Sequence, residues 1–115
     1  MKRDLDLIRQ ILLRIECECS PTHHTRCYIF KDLCSSHEAI AYHVRLVVKA
    51  HLVDAQDISG GEYEDYLIKG LTFEGCNFLD EIRDNSKWHK IKQAVAHVGN
   101  EISVSDILAI VGQFV

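Results

Sequence analysis

The chain has 115 residues, of which 47% are hydrophobic and 26% are charged, and its formal net charge is −4. This length suffices for one domain with its own core and is short for two. The negative balance gives the chain as a whole no electrostatic attraction to nucleic acid or to an anionic membrane. No stretch approaches the roughly 20 apolar residues of a membrane span. The charged start, MKRDLDLIRQILLRIE, lacks the apolar region of a signal peptide, so we expect a cytoplasmic protein.

The first half of the chain predicts two helices with a strand between them. Apolar residues recur at helical spacing near the start and predict a first helix over roughly residues 4 to 17. Pro21 and its polar neighbours end this helix. The stretch CYIF at residues 27–30 is short, aromatic and β-branched, which predicts a strand. Ser35 or Ser36 is then expected to cap a second helix, whose apolar residues again repeat at helical spacing.

A β-hairpin is predicted after the second helix. A strand begins at Leu52, the pair Gly60-Gly61 marks a turn, and residues 66–71 form the returning strand. Thr72 is expected to cap a third helix. Four apolar residues of that helix are expected to be buried: Phe73, Phe78, Leu79 and Ile82.

The remaining chain predicts further helices. Ser86 is expected to cap a fourth helix that runs to Val98, and Ser103 or Ser105 is expected to start a last short one. The order of elements predicts an α+β fold: a winged helix-turn-helix with a two-stranded wing and a C-terminal helical extension. We expect a single domain over residues 1–115.

Three stretches carry a resemblance to a known family. They are MKRDLDLIRQILL at the amino terminus, YHVRL at residues 42–46 and LTFEGCNFLDEIRD at residues 71–84. In these stretches the chain resembles a small winged-helix family of bacteria and their phages, catalogued as a domain of unknown function. The resemblance implies a winged-helix fold and a bacterial host cell, and no particular activity. Related sequences tend to carry Gly after the second helix, where the chain needs a left-handed residue, and here His51 stands there.

A winged helix suggests DNA binding through its second helix. The outward stripe of this helix contains Tyr42, Arg45 and Lys49, which are the predicted DNA-binding residues. A solvated helix face explains the same stripe equally well. The predicted wing argues against DNA, because residues 54–65 contain five acids and no Lys or Arg. Carboxylates there would repel phosphates.

An acidic wing suits a basic surface on a partner protein. Aspartates and glutamates of the wing are therefore the predicted protein-binding residues: Asp57, Glu62, Glu64 and Asp65.

The segment between the first helix and the predicted strand is rich in cysteine and histidine. Zinc takes four Cys or His ligands in a tetrahedral array, and a bound ion would fix this loop, at residues 17–34. The predicted ligands of a structural zinc ion are Cys17, Cys19, His24 and Cys27, with His23 and Cys34 as alternates. Idle thiols, or a redox or disulfide role, are the alternatives.

No motif of an enzyme is found: the sequence has no phosphate-binding glycine loop, nucleophile elbow or HExxH. Cys76 is expected to be a buried small hydrophobe. The leading hypothesis is a zinc-stabilised binding protein of phage type, a monomer or homodimer, that inhibits a host defence nuclease by protein contact. Its concrete version is an anti-CRISPR protein that blocks DNA loading of a CRISPR nuclease. The alternative is a DNA-binding transcriptional regulator.

Overall fold

The computed structural model describes residues 2–98, which form an α+β fold with four α-helices, one 3₁₀ helix and a two-stranded antiparallel sheet. The predicted last helix from Ser103 or Ser105 lies outside the described residues. In chain order the elements are α1 (Leu5–Glu18), the 3₁₀ helix (Cys27–Phe30), α2 (His37–Lys49), β1 (Val53–Asp57), β2 (Tyr66–Leu71), α3 (Phe73–Ile82) and α4 (Asn85–Val98). Within residues 2–98, no helix combines the length and the apolar character needed to cross a membrane.

Side-chain caps begin the helices. Asp4, Ser36 and Thr72 each accept a hydrogen bond from the backbone N–H three residues later, at the starts of α1, α2 and α3. Such caps satisfy donors that a helix leaves free at its amino end. The predicted cap of α4 was wrong. Asp84, rather than Ser86, accepts from the N–H three residues later at 2.8 Å.

One hydrophobic core joins the helices to the sheet. Side chains with no exposed surface, from α1, α2, β2, α3 and α4, are Ile11, Leu12, Ile15, Val44, Val47, Ile68, Leu79, Ile82 and Ile91. Each buried side chain of this size contributes about 1.5 to 3 kcal/mol. The indole N–H of Trp88 on α4 donates to the Asp6 carboxylate on α1 at 2.8 Å, which adds a polar link at the edge of the core.

The prediction for α3 was right for three buried residues and wrong for two positions. Its buried stripe runs through Gly75, Phe78, Leu79 and Ile82. Phe73 lies on the opposite face by helical spacing and is 78% exposed. Cys76 is also off the stripe and is exposed, contrary to the prediction of a buried residue.

The predicted strand at residues 27–30 was wrong, because this segment is a 3₁₀ helix. Cys27 and Phe30 are both fully buried. A separation of three places two residues on one side of a 3₁₀ helix but on opposite faces of a strand. Sheet-like pairing occurs just before, where Thr25 exchanges two backbone hydrogen bonds with Ile68 of β2, at 3.0 and 2.7 Å.

The predicted hairpin is confirmed. β1 pairs with β2 from Val53 opposite Leu71 to Asp57 opposite Tyr66, with one irregularity after Asp54. The turn lies at Gly60-Gly61, where Gly61 takes the left-handed region, with φ of 57°.

The end of α2 is a left-handed turn at His51, with φ of 63°, as the sequence predicted. The Leu52 N–H donates to the Val47 carbonyl and the His51 N–H to the Val48 carbonyl, both at 3.0 Å. This pair of bonds is the Schellman motif, which usually carries glycine at the left-handed position.

His51→Gly is therefore expected to raise the free energy of unfolding by about 1 kcal/mol, because a side chain strains the left-handed backbone and glycine does not. Urea denaturation measures the change. The control is Ala50→Gly, at the preceding residue with φ of −80°, where no strain is relieved and stability should fall. A loss of stability in both variants would contradict the prediction.

Candidate functional site

A groove separates α2 from the β1–β2 hairpin, and we name it the α2–hairpin groove. It consists of two adjoining cavities of about 480 and 360 Å³. The larger cavity is lined by His37, Glu38, Ala41, Tyr42, Arg45, Glu62 and Glu64. The smaller cavity shares Arg45, Glu62 and Glu64 with it and extends to Lys49, Asp57 and Tyr63.

The start of α2 holds the hairpin in place across this groove. The ring of His37 stacks on Tyr63, with centroids 4.3 Å apart and an angle of 9° between the planes. Its Nε2 lies 2.7 Å from the Glu64 carbonyl oxygen. A carbonyl only accepts hydrogen bonds, so this nitrogen is the donor. Two contacts from one side chain thus fix the distance between the walls of the groove.

Arg45, at the centre of the groove, is paired with a carboxylate of the hairpin. Its Nε lies 3.1 Å from Oε2 of Glu64, and the Tyr66 hydroxyl donates to the same oxygen at 2.6 Å. The pair is held by charge and not by an aligned hydrogen bond, since this buried Nε has no hydrogen-bond partner in the part of the chain described. The guanidinium also lies 5.6 Å from the Tyr42 ring centroid. Burial, and then the hydrogen bond to Glu64, raise the pKa of Tyr66 well above its usual value.

The groove carries more negative than positive charge. Four carboxylates and two cations line its cavities. Among residues 2–98, no ion-pair partner is found for Glu38, Glu62 or Lys49. The fold therefore brings the predicted DNA-binding stripe and most of the predicted acidic protein-binding residues into one site. The sequence treated them as two competing sites.

Asp65 is the exception and is not part of this surface. It is only 3% exposed, although the sequence predicted a protein-binding residue. Its carboxylate accepts hydrogen bonds from Arg26 Nε at 2.8 Å, from the Tyr66 N–H at 2.8 Å and from the Cys27 N–H at 3.2 Å. Burial acts to raise the pKa of Asp65, but these bonds, led by that of Arg26, outweigh burial and lower it. Asp65 thus joins the hairpin to the 3₁₀ helix from inside the protein.

The three predicted cysteine ligands differ in their exposure. Cys17 is exposed and Cys19 is half-buried, with its Sγ 3.7 Å from the Ile68 carbonyl oxygen. Cys27 is buried in the core, and burial, followed by the hydrogen bond with Asp65, raises the pKa of its thiol to about 12.

Two histidines and one further cysteine complete the predicted ligands and their alternates. His23 and His24 are exposed on the turn after α1, and Cys34 lines a separate cleft with Asp4 and Asp6. No three His, Cys, Asp or Glu side chains of residues 2–98 form a group that fits a metal ion. Zinc binding by this loop stays a prediction.

Thiol reactivity tests this arrangement directly. In the native protein, the exposed Cys17 and Cys76 are expected to react quickly with an aromatic disulfide reagent. Cys27 should react only after unfolding, because it is buried and its thiol stays protonated. Mass spectrometry of the labelled peptides identifies the sites. Protection of Cys17 that a chelator removes, with one zinc per chain in the native mass, would instead support the predicted zinc loop.

Comparisons with known proteins give a family and one relative. The family described as "Hypothetical protein (DUF2513)" matches residues 2–101. An uncharacterized protein of Haemophilus influenzae (strain ATCC 51907 / DSM 11121 / KW20 / Rd) is 31% identical over 107 residues, which cover 93% of this chain and 89% of that protein. No solved structure matches the chain.

Proposed function

Because the chain belongs to the DUF2513 family of hypothetical proteins, whose description gives no activity, we propose a function from the geometry of the groove. The chain is a protein-interaction module, and its α2–hairpin groove binds a positively charged surface of a partner protein.

The order of elements supports the winged-helix assignment behind this proposal. α2 takes the place of the recognition helix and the β1–β2 hairpin that of the wing. The 3₁₀ helix takes the place of the short helix that precedes a recognition helix. Winged helices present the recognition helix and the wing to the same ligand, as the α2–hairpin groove does here.

The pairing of Arg45 with Glu64 is the observation that carries the proposal. DNA binding depends on cations that are free to meet phosphates and release counterions. Here the central cation of the stripe is neutralised by the hairpin, and Glu38 and Glu62 line the same cavity without a cation of their own within residues 2–98. A phosphate approaching the groove meets carboxylates, whereas a lysine or arginine of a protein is attracted.

The more specific hypothesis drawn from the sequence, an inhibitor of a host defence nuclease, stays a prediction. Inhibition of a host defence nuclease of the CRISPR type requires a basic partner surface, which the groove suits, but neither the fold nor the relative bears on that partner.

A single substitution in the groove tests the proposed function. The chain is immobilised, and proteins retained from a lysate of its bacterial host are compared for the unmodified chain and for Glu62→Gln. The retained partner is then purified and its binding kinetics measured at several salt concentrations. We expect Glu62→Gln to slow association by about tenfold at low salt and to flatten the salt dependence. Glu74→Gln is the control, because it removes the same charge from an exposed position on α3 outside the groove.

DNA binding is the outcome that would overturn the proposal. Fluorescence anisotropy with a mixed-sequence duplex should show no more than weak, nonspecific binding. Tight binding that Arg45→Ala weakens by about 1 to 3 kcal/mol would instead make α2 a DNA-recognition helix.

A further inference from the structure

We infer that the larger cavity of the groove is a pocket for one lysine or arginine side chain of the partner protein. The inference rests on the proposed function and sharpens it, because it replaces general attraction to a basic surface by the insertion of one cationic side chain at a defined place.

The shape of the cavity suits a long, thin side chain. It has a volume of about 480 Å³ and lies between α2 and the hairpin. Ala41, which is 1% exposed, is the small residue among larger lining side chains. Its methyl group is the smallest side chain of the lining and so takes up least of this space. The methylene stem of a lysine or arginine buries apolar surface in such a space while its charged end reaches polar groups.

The polar groups of the cavity match a cationic end group. Glu38 from α2 and Glu62 from the hairpin line it together, and neither has an ion-pair partner among residues 2–98. A cation between two carboxylates gains charge-assisted hydrogen bonds to both. The Tyr42 ring adds a face that attracts cations, and it already holds the Arg45 guanidinium at 5.6 Å from its centroid.

The backbone that carries the two glutamates is held in position before any ligand arrives. Glu38 follows His37 directly, and Glu62 precedes Tyr63, so the stack of His37 on Tyr63 fixes the backbone beside both. Preorganisation of this kind lowers the entropic cost of binding. Acids scattered on a mobile loop would attract cations without selecting one side chain.

The hydrogen-bond donors of Arg45 favour a peptide as the ligand of this cavity over a simple cation. It lines both cavities, and its side chain is 42% exposed. No hydrogen bond of its terminal nitrogens is found within the described residues. A backbone carbonyl next to the bound side chain would satisfy them, because a guanidinium presents donors in a fixed fork.

Small blocked amino acids test the pocket with the full-length chain. N-acetyl-L-arginine methylamide and its lysine counterpart are titrated against isotope-labelled protein, and amide chemical shifts are followed by NMR. The citrulline derivative has nearly the same shape as the arginine derivative and no charge, so it is the matched negative probe. Both cationic probes are expected to shift signals of residues 37–45 and 62–64, and citrulline is expected to leave them unchanged.

The variant E38Q/E62Q should weaken binding of both cationic probes at least about tenfold, because it removes both carboxylates that would bind the charged end group. E74Q should bind as the unmodified chain does. Unchanged signals elsewhere in the spectrum of E38Q/E62Q show that it is folded.

Two results would overturn the inference: no shifts in these segments with the cationic probes, or shifts that persist in E38Q/E62Q. If a partner captured in the earlier experiment still depends on Glu62 in either case, the groove attracts a basic surface without a side-chain pocket. The proposed function then stands and this inference alone falls. Probe binding that citrulline reproduces would also overturn it, since charge would not be what the pocket recognises.

Discussion

Asp65→Ala is expected to lower the free energy of unfolding by about 3 kcal/mol, one of the two largest effects we predict for a single substitution in the described chain. The carboxylate is almost fully buried and accepts from the backbone N–H groups of Cys27 and Tyr66 as well as from Arg26. Alanine leaves two buried donors without acceptors and frees the turn end of the hairpin from the 3₁₀ helix. Urea denaturation followed by circular dichroism measures the loss.

Arg26→Gln is the matched control for Asp65→Ala. The arginine side chain is half-exposed, and its removal leaves both backbone bonds to Asp65 in place, so Arg26→Gln should destabilise the protein much less than Asp65→Ala does. A larger loss from Arg26→Gln than from Asp65→Ala would show that the surface ion pair, and not the two backbone bonds, holds the hairpin.

Acid should reduce the contribution of Asp65 to the free energy of unfolding. The pKa of Asp65 is lowered in the folded state, whereas an aspartate in the unfolded chain has a pKa of about 3.9. A lowered folded-state pKa stabilises the protein above the unfolded pKa, and that stability is lost as the pH falls through the folded pKa. The gap in stability between the unmodified chain and Asp65→Ala is therefore expected to narrow below about pH 4. If the difference in stability between the two proteins stayed the same in acid, the ionised carboxylate of Asp65 would not be the stabilising group.

The features that the sequence predicted well depend on neighbours within a few residues. The cap at Thr72, the turn at Gly60-Gly61 and the left-handed residue at His51 each follow from local backbone chemistry. The strand at residues 27–30 was wrong because spacing in so short a segment does not determine which residues share a face. The predicted burial of Phe73 was wrong for a different reason, since helical spacing already places Phe73 opposite Phe78, Leu79 and Ile82.

The groove could be predicted in its parts and not as a whole. Helical spacing placed Tyr42, Arg45 and Lys49 on one face, and composition made the hairpin acidic. Only the tertiary fold shows that Glu64 lies against Arg45 and that Asp65 turns inward to partners 38 and 39 residues away. Alternation along a strand gives a clue, since Glu64 and Asp65 are expected to point to opposite sides. The same limit applies to the cysteine-rich loop, where the sequence places the predicted ligands close together but does not determine that they share one site; within residues 2–98 no three of them form a group that fits a metal ion.

The second large effect is expected for Gly75→Ala. Gly75 packs against the backbone of Leu52, which connects α2 to the hairpin. A Cβ atom at Gly75 would lie 1.9 Å from the carbonyl oxygen of Leu52 and 2.9 Å from its carbonyl carbon. Both contacts are to backbone, which has no rotamer to change. The same carbonyl oxygen accepts from the Thr72 N–H at 3.0 Å, so α3 cannot retreat from the clash without losing this bond.

We therefore expect Gly75→Ala to cost about 3 kcal/mol or more, at the upper end for overpacking, and to lower the melting temperature by at least about 10 °C. Gly60→Ala, in the exposed turn with nothing within 4 Å of the added Cβ, is the control and should stay within about 0.5 kcal/mol of the unmodified chain. Equal melting temperatures for the two variants would show that the backbone at Leu52 shifts to accommodate the added Cβ atom. Since Leu52 lies between the end of α2 and the start of β1, such a shift would also change the distance between α2 and the hairpin. NMR shifts at Arg45 and Glu64 in Gly75→Ala would then report whether the groove had moved with it.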